Sequence, residues 1–429
     1  MEELLQARDA RQEDLLRLLE GGGAASVLWL GINVPGPRKL RPGVSRLARG
    51  ALEALARTIP LEPRVSRTDP LGPFLLAESS APPEQLKRAA LALEQGNHAG
   101  RLLDLDVYRP DGTQADRAAL GLSPRPCLLC PEPAVDCMRL GRHREADLLR
   151  RVDELLAPLA PAPALVAPER LAATLARGTL RELELTPKPG LVDRRDNGSH
   201  PDLCLHAMRL SAALLPRYYA RLLRLAEERR PLAECVQAGV EAEARMVRAI
   251  GSNAHRGYIF LSGIVLLAAC ACAGRSDRLR QAIADLAGEF FAGFAAQDSH
   301  GAGIRARRGL GGIRREAEQG LPAVFQHGWP SYREALEAGW PPGRAAFYLM
   351  AELMEQVEDT TAVHRCGPEG LACLRRDGAV LRRLLERGAE PESWLAERNR
   401  EYRRMGLTMG GVADCMALTF ALEEAAEGE

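Results

Sequence analysis

The feature that most constrains this chain is a proline- and alanine-rich tract at residues 156–168, which carries four prolines. Each proline fixes its backbone and lacks an N–H donor, so such a tract is semi-rigid and forms no core. Before it, strand-like and helical patterns alternate, and after it strand signals nearly vanish. The chain, at 429 residues, is also too long for one ordinary core. We therefore predict two domains, 1–155 and 169–429, joined by a linker at 156–168.

The N-terminal domain is predicted to be α+β, with a small mixed sheet and helices. Strand-like runs lie at 26–32, near 73–78 and at 100–108, and helical runs lie at 1–20, 43–57 and 82–95. The C-terminal domain is predicted to be all-α. Its helical runs lie near 169–182, 203–228, 232–250, 258–273, 278–297, 343–358, 368–387, 391–404 and 411–426.

The composition argues against several classes of partner. The 57 acidic and 57 basic residues cancel, so no net field attracts nucleic acid or an anionic membrane. The longest uncharged run, 258–274, is shorter than the roughly 20 residues that span a bilayer. The N-terminus lacks the pattern of a secretory signal, and ten scattered cysteines favour reduced thiols. We therefore predict a cytoplasmic protein without a nucleic-acid or membrane partner.

Two aspartates on the strand-like run 100–108 form the first candidate site. Asp104 and Asp106 are two residues apart, so both carboxylates point to one face of a strand. Paired carboxylates at this spacing suit Mg²⁺ in phosphoryl or nucleotidyl transfer, and the loop with Arg38 and Lys39 can hold the remaining phosphates. The outward polar face of an edge strand gives the same spacing, so that alternative stays open.

A cysteine and histidine cluster follows in the same domain. Cys127, Cys130, Cys137 and His143 are separated by two, six and five residues. Three thiolates and an imidazole can supply the four tetrahedral ligands of zinc. The second half has an uncommon spacing, and a reduced structural cluster without metal remains the alternative.

The three motifs together are similar to a known family. Residues 33–39, 100–107 and 125–143 resemble, in this order, the holo-acyl-carrier-protein synthases of citrate lyase, the CitX type. The resemblance implies a nucleotidyltransferase-like domain. It would attach phosphoribosyl-dephospho-CoA to a serine of the acyl carrier protein, the γ subunit of citrate lyase, and release pyrophosphate. It also implies that Asp104 and Asp106 bind Mg²⁺, with Arg38, Lys39 and Arg101 at the nucleotide.

The second domain opens with a stiff polar loop at 185–202. Three prolines and two glycines exclude regular structure there, and Lys188, Asp193, His200 and Asp202 supply ionisable groups. This composition favours a ligand cradle over a plain connection, although a polar loop with helix caps is the alternative. Further polar clusters lie at helix ends, at Glu243, 251–257, 301–320, 359–365 and 410–414. Free N–H groups at helix N-termini suit phosphates, but the same residues can serve only as caps.

These stretches also resemble a family. Thr186 to Asp193, Gly198 to Asp202, Asn253 with His255, Gly312 to Ala317, Asp359-Thr360, His364-Arg365 and Gly410 to Asp414 resemble the triphosphoribosyl-dephospho-CoA synthases, the CitG type, and related malonate decarboxylase enzymes. The resemblance runs from about 170 to 423. The chain departs from the family pattern at Ala254, Arg256, Thr361 and Thr408-Met409.

The resemblance implies that ATP and 3′-dephospho-CoA are joined with release of adenine. Lys188, Arg256, Arg314 and Arg365 are then assigned to phosphates. Asp193, Asp202, Glu243 and Asp359 are candidates for the general base or for Mg²⁺, the metal being assigned to Asp193 and Asp359. His200 or His255 is assigned to protonate adenine. The other nucleotide-binding candidates are Gly190, Ser199, Asn253, Glu316, His364, Gly410, Gly411 and Asp414.

The two resemblances together imply one bifunctional enzyme, because the product of the second domain is the donor for the first. Linking the two raises the local concentration of that donor. One alternative is the same chemistry for the carrier of malonate decarboxylase. Another is a degenerate scaffold that binds nucleotide or carrier without turnover, which the departures at Ala254 and Thr361 keep open.

Overall fold

The structure is a computed structural model that describes residues 2–96, 98–159, 167–252, 254–272, 276–293 and 311–426. It divides into two compact units. The first contains residues up to 161 with 333–341 and 386–389, and the second contains 162–332, 342–385 and 390–429. Residues 160–166 of the predicted linker lie outside the described residues. Leu156, which we predicted to belong to the linker, is buried at the end of a helix, and Pro168 begins the next helix.

The first unit contains a four-stranded sheet with strand order β2-β3-β1-β4, made of β1 (Ser26–Ile32), β2 (Glu62–Asp69), β3 (Gly72–Ser79) and β4 (Leu103–Tyr108). All neighbouring strands are antiparallel, so the prediction of a mixed sheet is wrong. We missed β2 because it is a polar edge strand in which no residue is buried. In β4, Asp104 and Asp106 alternate with three buried residues, and they therefore share one face of the sheet.

Helices cover both faces of this sheet. On one face, α2 (Val44–Ala56), α3 (Pro83–Gly96) and α5 (Glu145–Leu156) pack against an aliphatic core. On the other face, α1 (Glu2–Glu20) places Leu15 against Phe74 and Leu76. The short helix α4 (Ala134–Arg139) carries Cys137. That the domain is nucleotidyltransferase-like stays a prediction.

Beyond residue 167, every regular element that the structure describes is helical. The α-helices are α6 (Pro168–Glu184), α7 (Leu205–Glu227), α8 (Leu232–Ile250), α9 (Arg256–Ala271), α10 (Ser276–Gly293), α11 (Gly312–Glu318), α12 (Trp329–Glu337), α13 (Pro342–Gln356), α14 (Thr360–Glu386), α15 (Glu392–Met405) and α16 (Gly410–Ala426). A π-helix at Ala323–Gly328 precedes α12. The second unit is thus mostly helical, in agreement with the sequence pattern.

Two apolar helices form the centre of the second unit. The residues of α9 and α16 are buried on nearly all sides. A Cβ on Gly178 of α6 would lie 2.2 Å from the Ala417 carbonyl oxygen, so α6 and α16 approach closely. No helix among the described residues is long and apolar enough to cross a membrane.

The helix α14 begins earlier than the predicted run at 368–387. The two helical segments are continuous except at Gly367, where φ is 69°. The N-termini of α9, α14 and α16 carry the polar residues of the candidate site.

Candidate functional site

A buried ion pair fixes the start of the loop between α6 and α7. The Lys188 side chain is fully buried, and its Nζ donates to the Glu182 carbonyl oxygen at 2.6 Å and also to the Glu182 carboxylate. Burial raises the pKa of Glu182, and the positive charge of Lys188 opposes that shift. The sequence identified Lys188 but gave no signal for Glu182, which reads as one of several charged residues on α6.

Asp193 holds the turn that follows. Its Oδ2 accepts a hydrogen bond from the Lys188 backbone N–H at 2.8 Å, and its Oδ1 accepts one from the Arg195 N–H at 2.7 Å. The carboxylate is buried. Asp193 therefore organises the loop around Lys188 through backbone donors.

The rest of the loop is anchored on α15 and on the segment after it. The Gly190 N–H donates to Asn399 Oδ1 at 3.0 Å, and the Ser199 hydroxyl donates to the Tyr402 carbonyl oxygen at 3.1 Å. Gly190 has a φ of 72°, and a Cβ there would lie 2.3 Å from the Leu407 carbonyl oxygen, so only glycine fits. These contacts make the loop a rigid frame.

His200 and Arg365 meet at the outer side of this loop. His200 Nε2 lies 2.9 Å from Thr408 Oγ1, and Arg365 Nη1 donates to the Ser199 carbonyl oxygen at 3.0 Å. Burial lowers the pKa of His200, and the charge of Arg365 lowers it further. Thr408, one of the departures from the CitG-type pattern, supplies the hydroxyl that contacts His200.

Asp359 connects the beginnings of two helices. Its Oδ1 accepts hydrogen bonds from the N–H groups of Thr361 and Ala362 at 2.9 and 3.0 Å, at the start of α14. Its Oδ2 accepts one from the Val412 N–H at 3.1 Å, at the start of α16. Burial raises the pKa of Asp359, while these backbone donors lower it. The buried carboxylate therefore caps both helices and fixes their relative position.

Asp414 of α16 lies at the centre of the site. Burial raises its pKa well above the ordinary value, and the charges of Asp359 and Glu182 raise it further. A Cβ on Gly257 would lie 2.1 Å from Asp414 Oδ2, so the carboxylate fits directly against the first turn of α9. Asp414 is only partly buried, whereas Asp359 and Glu182 are buried. It is therefore the least buried residue of this carboxylate cluster.

His255 stands beside this cluster at the beginning of α9. Its Nδ1 lies 2.6 Å from Ser211 Oγ, and the Ser211 hydroxyl donates to Met246 Sδ at 3.2 Å. The single hydroxyl proton is directed at Met246 Sδ or at His255 Nδ1; in the first case His255 Nδ1–H donates to Ser211, and the lone pair lies on Nε2. Burial lowers the pKa of His255 to about 4, and the charge of Lys188 contributes. Neutral His255 is better suited to accept a proton than to donate one.

We expect His255 to make the folded chain sensitive to acid. Its pKa is about 4 in the folded chain against an ordinary value of 6.5, so the unfolded chain binds more protons between these values. Stability therefore falls as pH drops through this window, by about 2 kcal/mol between about pH 7.5 and about pH 5. Urea unfolding of the wild type and of His255→Asn, which keeps an N–H for Ser211 but does not titrate, measures the difference. Equal pH dependence in the two chains would contradict the prediction.

Several predicted residues have contacts of their own outside this cluster. The surface contacts are Arg256 with Glu243 at 3.5 Å, Asp202 with Ser252 at 3.0 Å, and Arg314 with Glu318 at 2.8 Å. Glu316 accepts a hydrogen bond from the Ala323 N–H at 3.0 Å, which fixes the turn after α11. His364 is exposed on α14, and Asn253 lies outside the described residues.

The cluster itself brings together six side chains, those of Glu182, Lys188, Asp193, His255, Asp359 and Asp414. Gly410 and Gly411 are partly buried at the start of α16, where a Cβ on Gly411 would lie 3.1 Å from Asp359 Oδ2.

In the first unit, the paired aspartates of β4 are flanked by cationic side chains. Lys87 Nζ of α3 donates to the Leu105 carbonyl oxygen at 2.7 Å and lies 3.7 Å from Asp106 Oδ1. Arg125 Nη1 lies 3.9 Å from Asp104 Oδ1. Burial raises the pKa of Asp106, and the charge of Asp104 raises it further. The sequence gave no role to Lys87 or to Arg125 in binding.

Arg101 lines a cleft in the same unit. Its Nη2 donates to the carbonyl oxygens of Pro126 and Cys127, both at 2.9 Å. The cleft has a volume of about 510 Å³, and Arg101 shares its walls with His98 and Arg151. Three nitrogen-bearing side chains around one cleft suit phosphate oxygens.

The other predicted residues of the first unit lie in two further places. Lys39 donates to the Val34 carbonyl oxygen within its own loop, and burial lowers its pKa while Glu145 opposes that shift. Arg38 is partly buried in the same loop. The ligand atoms of Cys127, Cys130, Cys137 and His143 all lie within 4.8 Å of one another.

Comparison with known proteins identifies the class. A family model described as CitG, ATP:dephospho-CoA triphosphoribosyl transferase, matches residues 168–429, and the chain belongs to this family. A second model, CitX, apo-citrate lyase phosphoribosyl-dephospho-CoA transferase, matches residues 1–158. The chain is thus a transferase that combines a CitX-type and a CitG-type part, in the manner of a CitXG fusion.

Individual relatives support both parts. A probable 2-(5''-triphosphoribosyl)-3'-dephosphocoenzyme-A synthase of Azotobacter vinelandii is 39% identical over 269 residues, 58% of this chain and 90% of the relative. Protein CitXG of Leuconostoc mesenteroides subsp. cremoris is 26% identical over 456 residues, 98% of this chain and 96% of the relative. Protein CitXG of Haemophilus influenzae is 29% identical and covers 78% of this chain, which spans 76% of that relative.

Proposed function

We propose that the second unit makes 2'-(5''-triphosphoribosyl)-3'-dephospho-CoA from ATP and 3'-dephospho-CoA. In this reaction the C1'–N9 bond of ATP breaks and a bond forms from C1' to the ribose 2'-oxygen of dephospho-CoA. The hydroxyl proton leaves that oxygen, and adenine takes up a proton as it departs. The observation that supports this proposal best is the carboxylate cluster of Glu182, Asp359 and Asp414 beside the buried, neutral His255.

The residues at this centre divide into frame and reacting groups. Asp193 and Asp359 use both carboxylate oxygens to hold backbone N–H groups, so we propose that they position the loop and the helix ends. Asp414 is the least buried of the three clustered carboxylates, so we propose that it meets the substrate, where a carboxylate stabilises the positive charge that develops at C1'. We propose that His255 Nε2 accepts the proton of the attacking hydroxyl.

The donor set also fits a divalent metal. Mg²⁺ prefers carboxylate oxygens. A dication beside Asp414 and Asp359 would offset the burial that raises both pKa values and the charge of Asp359 that raises the pKa of Asp414 further. When bound, Mg²⁺ neutralises part of the charge on the triphosphate. The guanidinium groups of exposed Arg256 and Arg365 and of partly buried Arg314 are proposed to bind phosphate oxygens at the rim.

For the first unit we propose the second step of the pathway. A serine hydroxyl of the apo acyl carrier protein of citrate lyase attacks the α-phosphate of the triphosphoribosyl group, and pyrophosphate leaves. Asp104 and Asp106 are proposed to hold Mg²⁺, and the cleft with Arg101 is proposed to bind the phosphates. The positive charge of Lys87 favours the ionised form of Asp106.

One assay tests both steps. Purified chain is incubated with ATP, Mg²⁺ and 3'-dephospho-CoA, with apo carrier of citrate lyase or of malonate decarboxylase, and adenine and carrier mass are measured. Adenine release with a mass gain on the citrate lyase carrier is the expected result. A gain on the malonate decarboxylase carrier alone would reassign the partner, and absence of adenine would favour a non-catalytic scaffold.

We expect Asp106→Asn to separate the two steps. The variant should release adenine at the wild-type rate, because Asp106 belongs to the first unit. Carrier modification should fall by about 10²-fold or more, because the amide removes one of the two carboxylates that hold the metal. Asp111→Asn, on the exposed turn after β4, is the matched control and should modify the carrier normally. Normal carrier modification by Asp106→Asn would remove the aspartate pair from the proposed site.

A further inference from the structure

We propose that Cys127, Cys130, Cys137 and His143 bind one structural Zn²⁺, and that this zinc knuckle holds Arg101 in place at the cleft of the first unit. The four side chains come from two turns and from α4. Here the zinc knuckle means residues 125–143, which contain all four ligands.

The geometry already matches a tetrahedral metal site. Cys130 Sγ lies 3.4 Å from Cys137 Sγ and 3.3 Å from His143 Nε2. Zinc with sulfur at about 2.3 Å and nitrogen at about 2.0 Å requires separations of about 3.8 and 3.5 Å between such ligands. A disulfide needs its sulfur atoms at about 2.05 Å, and all three cysteines are free. The ligand atoms are thus spaced for a shared ion.

The packing of the segment gives an independent reason for a metal. Between Ala115 and Val152, Cys127 and Cys137 are the only buried residues whose burial the structure describes. Large hydrophobic side chains in this stretch are exposed instead, including Leu122, Leu129, Val135, Met138 and Leu140. A segment with so little apolar burial does not hold its shape through a hydrophobic core, and a structural metal is the usual replacement.

The chemistry of the ligands selects the ion. Thiolates and imidazole are soft or borderline ligands that prefer Zn²⁺, whereas Mg²⁺ prefers oxygen. Four protein ligands fill a tetrahedral shell and leave no open position for substrate. The site is therefore structural, and it is distinct from the magnesium site proposed at Asp104 and Asp106.

The zinc knuckle reaches the cleft through its backbone. The carbonyl oxygens of Pro126 and Cys127 accept both hydrogen bonds from Arg101 Nη2, and Leu128 lines the same cleft. Arg125 donates to the Leu103 carbonyl oxygen at 2.7 Å, which ties the knuckle to the start of β4. Loss of zinc is therefore expected to release Arg101 as well as the segment itself.

Metal content of the full chain tests the site directly. Wild type produced in zinc-supplemented medium and passed over a mild chelator should keep about one zinc ion per chain. Cys130→Ser/Cys137→Ser should keep less than about a tenth of that amount. Cys235 is as buried as Cys137, each 5% exposed, and Cys235→Ser should bind as much zinc as the wild type. Wild type with cobalt in place of zinc should show thiolate-to-cobalt charge-transfer and tetrahedral absorption bands. Wild type without zinc and without these bands would overturn the proposal, whatever the variant does.

A functional measurement then tests the link to Arg101, and this part rests on the proposed function. Removal of zinc from the wild type should lower carrier modification at least about tenfold and leave adenine release unchanged, and re-addition should restore it. If the wild type binds zinc and still modifies the carrier normally once the zinc is removed, that result would refute the link to Arg101 and leave the proposed metal site intact. If the untreated wild type shows neither adenine release nor carrier modification, the result would instead count against the proposed function.

Discussion

Asp414→Asn should lower the rate of adenine release by about 10²–10³-fold while the chain becomes no less stable. The amide keeps the shape of the carboxylate but removes the charge that we propose acts on the ribosyl centre. The same change removes an unfavourable buried charge, because burial raises the pKa of Asp414 and the charges of Asp359 and Glu182 raise it further. Activity and stability should therefore move in opposite directions, which is typical of a group retained for function. Adenine release under saturating ATP and thermal unfolding of the same preparations measure the two effects.

A carboxylate on the same helix supplies the matched control. Glu423 is buried on α16 and accepts a hydrogen bond from Trp329 Nε1, which glutamine can also accept. Glu423→Gln should therefore keep adenine release within about twofold of the wild type. Asp414→Asn with activity in that same range would exclude a role for this carboxylate in the reaction.

Gly257→Ala tests the position of the Asp414 carboxylate without changing Asp414 itself. The added methyl group would lie 2.1 Å from Asp414 Oδ2, so the carboxylate must move. A displacement of about 1 Å at a reacting group costs about 10²-fold in rate, and we expect a loss of that size. Gly288→Ala on α10 has open space around the new Cβ and should leave the rate unchanged.

The sequence predicted nine of the α-helices beyond residue 167 because their apolar periodicity is strong, but it missed α11, the π-helix and α12. It also identified the loop at 185–202 and the polar helix ends, since proline, glycine and charged residues mark them. It missed β2 because an exposed edge strand lacks the alternation of a half-buried strand. The helix start at Thr360 was missed because Gly367 and Pro368 read as a boundary.

The roles within the site depend on partners that periodicity does not reveal. Asp359 and Asp414 are both aspartates at helix starts in the sequence, but Asp359 accepts several backbone hydrogen bonds and is buried, whereas Asp414 is less buried. Glu182 pairs with Lys188 across the end of α6, and Lys87 pairs with Asp106 from another element. Which of two similar carboxylates is free to react is a property of tertiary packing, so residue types alone could not separate frame from reacting group.

Lys188→Met should destabilise the folded chain by about 3–5 kcal/mol, because it leaves the Glu182 carboxylate buried without its partner. Burial already raises the pKa of Glu182, and the Lys188 charge is the main force that opposes this shift. Urea unfolding followed by circular dichroism gives the free energy of unfolding. Lys188→Met/Glu182→Leu should recover most of that free energy, because an apolar pair can replace a buried ion pair at little cost.

The double variant also decides what Lys188 does in the reaction. From the sequence, Lys188 is assigned to a phosphate, yet its ammonium is fully buried and engaged by Glu182. A lysine that only shapes the loop is replaceable together with its partner, so adenine release should return to within about tenfold of the wild type. A lysine that binds phosphate is not replaceable in this way, since methionine supplies no charge. If the double variant recovers its stability and still releases adenine about 10³-fold more slowly, that result would support a phosphate-binding role for Lys188, because the fold would be intact and only the charge missing.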